Sequence, residues 1–287
     1  MLHSESFIEK YDVFLFDCSG VLWHGKDPIP NSKKVVEKLL SLNKLVIFVT
    51  NNSAKTRIAM KNCINETLGI SVSLDVLYSP GVSLASYINK RIKPGEKVFL
   101  IGSNGLAEIM DEFKIDYIGF GQDMDPHNFS EFAEFKPVPS VKFVVGSFDP
   151  YYNYTKLVKA YIYITECGAE YITTNLDLEY PLNELRTLPG TGQLLSGLNL
   201  ATNSNPKVMG KPSSLLFDLI CNDHSIHDKS KVLMVGDSLL TDIQFGINSK
   251  IDTALVLTGI TKKGMISERT LDSGPTYVLN SIADLLP

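Results

Sequence analysis

Three aspartates and a lysine, far apart in the chain, stand at positions where an enzyme could carry its chemistry. Asp17 follows the apolar run Val13 to Phe16, and Asp237 follows the run Lys231 to Val235. Open α/β sheets bind their ligands beyond the carboxyl ends of the strands, so both aspartates are predicted to face one edge of such a sheet. The other two members of the set are Asp242 and Lys211.

These residue types are the ones that phosphoryl transfer requires. A carboxylate can attack phosphorus and form an aspartyl-phosphate, which divides one difficult step into two easier ones. Mg²⁺ prefers hard oxygen ligands, usually with one or two carboxylates among them. A lysine ammonium, together with the polar groups of Thr50-Asn51-Asn52, can stabilise phosphoryl oxygens. The residue types in this set therefore suffice for phosphoryl transfer.

The elements that position these residues alternate between short apolar runs and stretches of helical period, which is typical of βα units in a parallel sheet. Helices are predicted to begin near Ser32, from about Lys55 to Leu68, and over Leu215 to Cys221, whereas Gly121 to Ser140 is predicted to be a loop. Strands are predicted over Val13 to Phe16, Leu45 to Val49, Val98 to Ile101, Val141 to Val145, Lys231 to Val235 and Ala254 to Leu257.

A second domain is predicted as an insertion at residues 93–205. Its entry, Lys93-Pro94-Gly95, and its exit, Asn203 to Pro206, are polar, turn-rich segments of the kind that join domains. We therefore expect a core domain of residues 1–92 and 206–287. The predicted fold class is α/β, with a doubly wound parallel sheet and an inserted, smaller α/β cap domain.

Composition narrows the class of partner. The chain has 287 residues and a formal net charge of −5, and it lacks a long basic run, which argues against nucleic acid. No apolar stretch approaches the roughly 18 residues of a membrane span. The N-terminal residues, Met1 to Tyr11, lack the pattern of a signal peptide, and the four scattered cysteines suit reduced thiols. A cytoplasmic protein with no membrane or nucleic-acid partner is expected.

Four segments in order, FDxxGVLW from Phe16, VTNNSxKTR from Val49, GKP from Gly210 and GDSxxTD from Gly236, carry a family resemblance. They resemble the haloacid dehalogenase superfamily, in particular its branch of 4-nitrophenylphosphatases, phosphoglycolate phosphatases and pyridoxal phosphatases. The similarity runs from Tyr11 to the C-terminus. It implies a Rossmann-like hydrolase core with a cap, Mg²⁺ as cofactor and a small phosphorylated metabolite as substrate. A homodimer through the cap is a separate expectation.

The resemblance also implies a role for each matching residue. Asp17 corresponds to the nucleophile and a Mg²⁺ ligand, and Asp237 to a second ligand of the same ion. Asp242 corresponds to an outer or water-mediated metal partner, and Lys211 to the group that neutralises charge between nucleophile and phosphoryl group.

Substrate contacts follow from the same resemblance. Thr50, Asn51 and Asn52 correspond to the phosphate-binding segment. Tyr180 lies where the cap loop of the family reaches toward substrate, and an interface or packing role for its ring is an equally open alternative.

Ser19 departs from the family pattern, in which a second aspartate occupies this position. Serine keeps the backbone carbonyl that the family offers to the metal but has no carboxylate to protonate the leaving group and then deprotonate water. Loss of such a general acid and base typically lowers the rate by about a hundred- to ten-thousand-fold. Metal and substrate binding are expected to survive.

Several explanations of Ser19 stay open at the level of sequence. A natural serine would give a slow phosphatase, or a binding or regulatory protein that holds a phosphorylated ligand without turnover. An engineered Asp→Ser change would give a variant that traps a substrate or intermediate. A ligand-free scaffold is a more distant alternative.

Overall fold

The computed structural model describes residues 5–126, 128–183, 186–266 and 274–286. The chain divides into two compact units, which are treated separately below. Unit 1 comprises Met1–Thr50, Arg57–Ser79 and Lys211–Pro287, and unit 2 comprises Asn51–Thr56 and Pro80–Gly210.

Unit 1 contains a six-stranded parallel sheet. When its strands are numbered along the chain, their lateral order is 3-2-1-4-5-6, which is the order of a doubly wound dinucleotide-type fold. The first and fourth strands, Val13–Phe16 and Val232–Gly236, are neighbours at the point where the chain reverses its direction across the sheet. The strands are Val13–Phe16, Leu45–Val49, Leu77–Tyr78, Val232–Gly236, Asp252–Val256 and Tyr277–Leu279.

Apolar side chains on both faces of this sheet explain why it lies inside unit 1. Every residue of Val13–Phe16 and Val232–Gly236 is buried, as expected for parallel strands covered by helices. The helix Ser32–Ser41 turns Val35, Val36 and Leu39 toward the core at helical spacing. The α-helices of unit 1 are Glu5–Lys10, Ser32–Ser41, Arg57–Leu68, Leu215–His224 and Gln244–Ser249, and a short hairpin pairs Trp23–His24 with Asp27–Pro28.

Unit 2 has a parallel sheet of its own, with five strands. Its core includes Phe99, Val144 and Leu198. An antiparallel hairpin pairs Glu179–Asn183 with Arg186–Pro189. The strands, in lateral order, are Lys207–Val208, Glu170–Thr173, Val141–Gly146, Lys97–Ile101 and Tyr117–Ile118. The helices are Pro80–Asn89, Asn104–Glu112, Phe129–Glu134, Tyr154–Thr165, Thr191–Leu194 and Ser196–Thr202.

Together these two sheets confirm the predicted α/β class, with a doubly wound parallel core and a smaller inserted α/β domain. The helices of both units are short: Arg57–Leu68 and Tyr154–Thr165 have 12 residues each. Within the described ranges, none has the length and apolar character needed to cross a bilayer.

The boundaries of unit 2 differ from the predicted insertion at 93–205. The helix Pro80–Asn89 belongs to unit 2, where the hydroxyl of Tyr87 donates to Glu170 at 2.8 Å. At the other end, the strand Lys207–Val208 pairs with Glu170–Thr173 in the unit 2 sheet. The polar segments that suggested the boundaries are therefore connections inside unit 2, because their flanking elements complete its sheet and core.

The stretch Gly121 to Ser140 was predicted to be a loop, and this prediction is wrong in part. It contains the helix Phe129–Glu134, whose first turn is capped by Asn128: the side-chain oxygen of Asn128 accepts from the backbone N–H of Glu131 at 3.0 Å. The helix has only six residues and none of them is buried, so it leaves no apolar stripe in the sequence.

Candidate active site

The two central strands of the unit 1 sheet position Asp17 and Asp237 next to each other at their carboxyl ends. Phe16 is the register partner of Val235, so Asp17, one residue further on, and Asp237, two residues further on, leave adjacent parallel strands at the same edge of the sheet. The backbone N–H of Asp17 donates to the carbonyl of Val235 at 2.9 Å, which extends the ladder to the aspartate itself. This position is the topological switch point of the sheet, where open α/β folds bind ligands.

Asp242 completes a cluster with Asp17 and Asp237. Each of the three offers a carboxylate oxygen, and these oxygens all lie within 4.8 Å of one another. Their residues are 8%, 4% and 1% exposed for Asp17, Asp237 and Asp242 respectively. Three carboxylates are therefore held out of water at a spacing that a single cation can bridge.

Lys211 is the cation in contact with this cluster. Its ammonium nitrogen lies 2.5 Å from Oδ1 of Asp17 and 2.7 Å from Oδ1 of Asp242, and it donates to the carbonyl of Val49 at 3.0 Å. The residue is 1% exposed. Burial acts to lower the pKa of Lys211, but attraction to Asp17 and Asp242 is stronger and leaves the pKa raised. The side chain is therefore a fixed positive charge.

One ammonium does not balance three buried carboxylates. Burial, followed by repulsion from Asp242 and Asp17, raises the pKa of Asp237 from 3.8 to about 8. Burial also raises the pKa of Asp17, and Lys211 offsets only part of that shift. The site thus has an excess of negative charge that a divalent cation would relieve, and its donors are the hard oxygen atoms such a cation prefers.

The carboxylate of Asp242 has different hydrogen-bond partners from those of Asp17 and Asp237. Its Oδ2 accepts hydrogen bonds from the backbone N–H groups of Asp237 and Ser238, at 3.0 and 3.1 Å, while its Oδ1 faces Lys211. A side chain at Gly236 would overlap the Asp242 carboxylate, so glycine is needed there. Asp242 is held as a bridge between the strand-end loop and Lys211, and its outer role beside a metal stays a prediction.

Asp237 is fixed by a turn that the sequence motifs did not include. Its Oδ2 accepts from the backbone N–H of Ile260 at 2.7 Å. Gly259 packs so closely on the carboxylate that an added Cβ would overlap it. The signal for this turn was the Thr258-Gly259 pair directly after the predicted strand Ala254 to Leu257, which is another strand end of the same sheet.

Ser19 and Thr50 also belong to unit 1. Ser19 lies in the loop after Asp17 and is exposed, with an isolated bridge to Trp23. Thr50 follows the strand Leu45–Val49, and its backbone N–H donates to the carbonyl of Tyr78 at 3.0 Å. Both residues therefore extend from carboxyl ends of sheet strands.

Asn51 and Asn52 belong to unit 2. The amide nitrogen of Asn51 lies 3.3 and 3.2 Å from the two carboxylate oxygens of Asp177, and the backbone carbonyl of Asn51 accepts from the side chain of Asn175 at 3.0 Å. The side-chain oxygen of Asn52 accepts from the backbone N–H of Ala54 at 2.9 Å. The phosphate-binding role of these two asparagines stays a prediction.

The strand Glu179–Asn183 includes Tyr180. The side chain of Tyr180 lies outside the described residues, so its predicted contact with substrate stays a prediction.

Comparison with known proteins identifies relatives for both units. Residues 14–116 match the family profile described as haloacid dehalogenase-like hydrolase, and residues 208–285 match one described as HAD-hydrolase-like. The chain is 37% identical over 287 residues to a 4-nitrophenylphosphatase of Schizosaccharomyces pombe, covering 98% of this chain and 95% of that protein. It is 31% identical over 299 residues to the glycerol-3-phosphate phosphatase of Homo sapiens, covering 99% and 92%.

A solved structure shows the same fold. The crystal structure of a 4-nitrophenylphosphatase from Thermotoga maritima matches with a TM-score of 0.80 at 27% sequence identity, covering 97% of both chains. The similarity extends over both units.

The raised pKa of Asp237 predicts how the stability of the metal-free protein depends on pH. A carboxyl group whose pKa is higher in the folded than in the unfolded state stabilises the fold when protonated, and that contribution is lost as the pH rises toward the folded value. In the presence of EDTA, the melting temperature should therefore fall as the pH rises from about 6 to about 8. Thermal unfolding at a series of pH values measures this.

Asp237→Asn is the matched control, because an amide of the same shape cannot titrate. We expect the pH slope of the variant to be shallower than that of the wild-type chain. Added divalent cation should also flatten the wild-type slope, since it favours the ionised carboxylate. Equal slopes in the wild-type chain and the Asp237→Asn variant would show that Asp237 does not hold a proton in the folded state.

Proposed function

This chain is a phosphatase of the haloacid dehalogenase-like hydrolase family, and we propose that it hydrolyses small phosphomonoesters through an aspartyl-phosphate on Asp17 with Mg²⁺ as cofactor. The observation that carries the proposal is the buried cluster of Asp17, Asp237 and Asp242 in contact with Lys211 at the switch point of the unit 1 sheet.

Asp17 is assigned as the nucleophile because it combines burial with a directly bound ammonium. Its carboxylate oxygen would attack phosphorus and form a new P–O bond, while the bond from phosphorus to the leaving alcohol breaks. Water then attacks the aspartyl-phosphate, which releases inorganic phosphate and restores the Asp17 carboxylate. Lys211 favours the ionised form of Asp17 and offers positive charge to the transferring oxygens.

The carboxylates of Asp17 and Asp237 and the backbone carbonyl of Ser19 are the groups assigned to hold Mg²⁺. Hard oxygen donors and an excess of buried negative charge support this assignment. When bound, the ion supplies charge stabilisation at the phosphoryl oxygens. Asp242 holds Lys211 and the Asp237 backbone in place, and Thr50, Asn51 and Asn52 are assigned to the phosphate.

We infer the substrate class from the activities of the relatives. They are phosphatases of 4-nitrophenyl phosphate, glycerol 3-phosphate and phosphoglycolate, all of which are small monoesters. We assign this chain to the same substrate class, to which pyridoxal phosphate also belongs.

The state of the cysteines supports a cytoplasmic location for this chain. All four cysteines are among the described residues, and they carry thiols rather than disulfides.

Ser19 supports a second candidate function, a protein that binds a phosphorylated ligand with little turnover. The hydroxyl of serine can donate a hydrogen bond or orient water but cannot act as an acid and base near neutral pH. Binding of a phosphorylated ligand would depend on the cluster of Asp17, Asp237 and Asp242 and on Lys211, all of which are present beside Ser19 in this chain.

Replacing Ser19 by aspartate separates the two functions. If Ser19 is the defect in a phosphatase, Ser19→Asp should raise the rate of phosphate release by at least about tenfold, a lower bound on the usual general acid-base contribution. Phosphate release from glycerol 3-phosphate with Mg²⁺ measures it. Asp17→Asn in the same background should abolish the gain, whereas an active double variant would contradict the nucleophile assignment. No gain with Ser19→Asp would favour the binding function.

The leaving group gives an independent test of the missing acid. 4-Nitrophenolate leaves without protonation, whereas an alkoxide needs a proton, so Ser19 should impair the alkyl substrate more strongly. The ratio of kcat/KM for 4-nitrophenyl phosphate to that for glycerol 3-phosphate should be higher in the wild-type chain than in Ser19→Asp. An unchanged ratio would show that Ser19 does not affect leaving-group protonation.

A further inference from the structure

A three-residue turn, Thr258–Gly259–Ile260, contacts one group assigned to the metal, the Asp237 carboxylate, and also contacts the residue after Ser19. It follows the strand Asp252–Val256 in unit 1. The backbone N–H of Ile260 donates to Oδ2 of Asp237 at 2.7 Å, and the hydroxyl of Thr258 donates to the backbone carbonyl of Gly20 at 2.5 Å. The turn is thus bonded both to Asp237 and to the loop that carries Ser19.

Close packing around the Asp237 carboxylate restricts its position. Gly20 has a φ of +81°, and a Cβ added to it would overlap Asp237 and lie 2.9 Å from the Cα of Gly259. A Cβ on Gly259 would overlap the same carboxylate. Two glycines therefore enclose the Asp237 side chain from two segments, and hydrogen bonds from the turn fix both segments relative to each other.

The contacts also orient the peptide of Ser19. The backbone N–H of Gly20 belongs to the same peptide group as the Ser19 carbonyl, and it donates to the carbonyl of Trp23 at 2.8 Å. The next peptide group is held through its carbonyl by Thr258. Because a peptide group is planar, fixing both groups determines the direction of the Ser19 carbonyl.

We propose that the Thr258–Ile260 turn is a positioning element that sets the geometry of the Mg²⁺ site by holding the Asp237 carboxylate and the Ser19–Gly20 peptide. This inference rests on the proposed metal function. The hydrogen bond from Ile260 fixes which carboxylate oxygen of Asp237 packs on the turn. Thr258, which touches neither metal ligand directly, acts through Gly20. Groups that orient metal ligands in this way contribute to the affinity of a site for its metal ion.

Thr258→Val tests the proposal, because it removes the hydroxyl and keeps the shape of the side chain. After removal of bound metal with EDTA and dialysis, titration with Mg²⁺ in a calorimeter should show affinity lowered by about tenfold, the lower end for loss of a partner of a metal ligand. Thr258→Ser keeps the hydroxyl and should bind Mg²⁺ as the wild-type chain does. Gly259→Ala, which displaces the Asp237 carboxylate, should weaken binding more than Thr258→Val.

Thr202→Val is the matched control. It removes a similar bond from a threonine hydroxyl, to the carbonyl of Leu198 at 2.8 Å in unit 2, and should leave Mg²⁺ affinity unchanged. Metal-free melting temperatures of all variants separate a loss of positioning from general destabilisation. A Thr258→Val protein that folds and binds Mg²⁺ like the wild-type chain overturns the proposal. A wild-type chain that binds no Mg²⁺ overturns the metal assignment itself, so the two failures are distinguishable.

Discussion

An excess of buried negative charge is the constraint on which the candidate site depends. Asp17, Asp237 and Asp242 place their oxygens within 4.8 Å of one another, and Lys211 alone contacts them as a cation among the described residues. Burial, followed by repulsion from the like charges of Asp242 and Asp17, raises the pKa of Asp237. Without metal, the folded protein either keeps a proton on Asp237 or is destabilised by repulsion among the three carboxylates. A bound divalent cation would neutralise that repulsion.

The sheet makes this unfavourable arrangement possible. Two adjacent parallel strands end at the switch point, and each leads directly into an aspartate. The neighbouring glycines allow backbone to approach the carboxylates, and backbone N–H groups then donate to Oδ2 of Asp242 and to Oδ2 of Asp237. Polar groups in a buried site are stable only when such partners are present. The local backbone thus stabilises the carboxylates in part and leaves a remaining negative charge that a divalent cation can balance.

Much of this organisation could be predicted from the sequence, because strand ends and motifs carry local signals. The apolar runs Val13–Phe16 and Leu45–Val49 have the observed bounds, and the convergence of Asp17, Asp237, Asp242 and Lys211 follows from the rule that ligands bind beyond strand ends. The turn at Thr258 to Ile260 could not be predicted, since its contacts with Gly20 and Asp237 depend on the lateral order of distant strands. The boundaries of unit 2 were misplaced for a related reason: the helix Pro80–Asn89 joins that unit through tertiary contacts that have no signature in its own sequence.

Ser19 sets the limit of what this geometry can do, because the site has the nucleophile, the ammonium and the metal donors but no carboxylate at that position. The central claim is that the cluster binds one divalent cation. Crystals soaked in Mn²⁺ and measured at the manganese absorption edge test it most directly. The account predicts one strong anomalous peak in direct contact with carboxylate oxygens of Asp17 and Asp237. Anomalous density confined to other places, with these carboxylates free of metal, would contradict it.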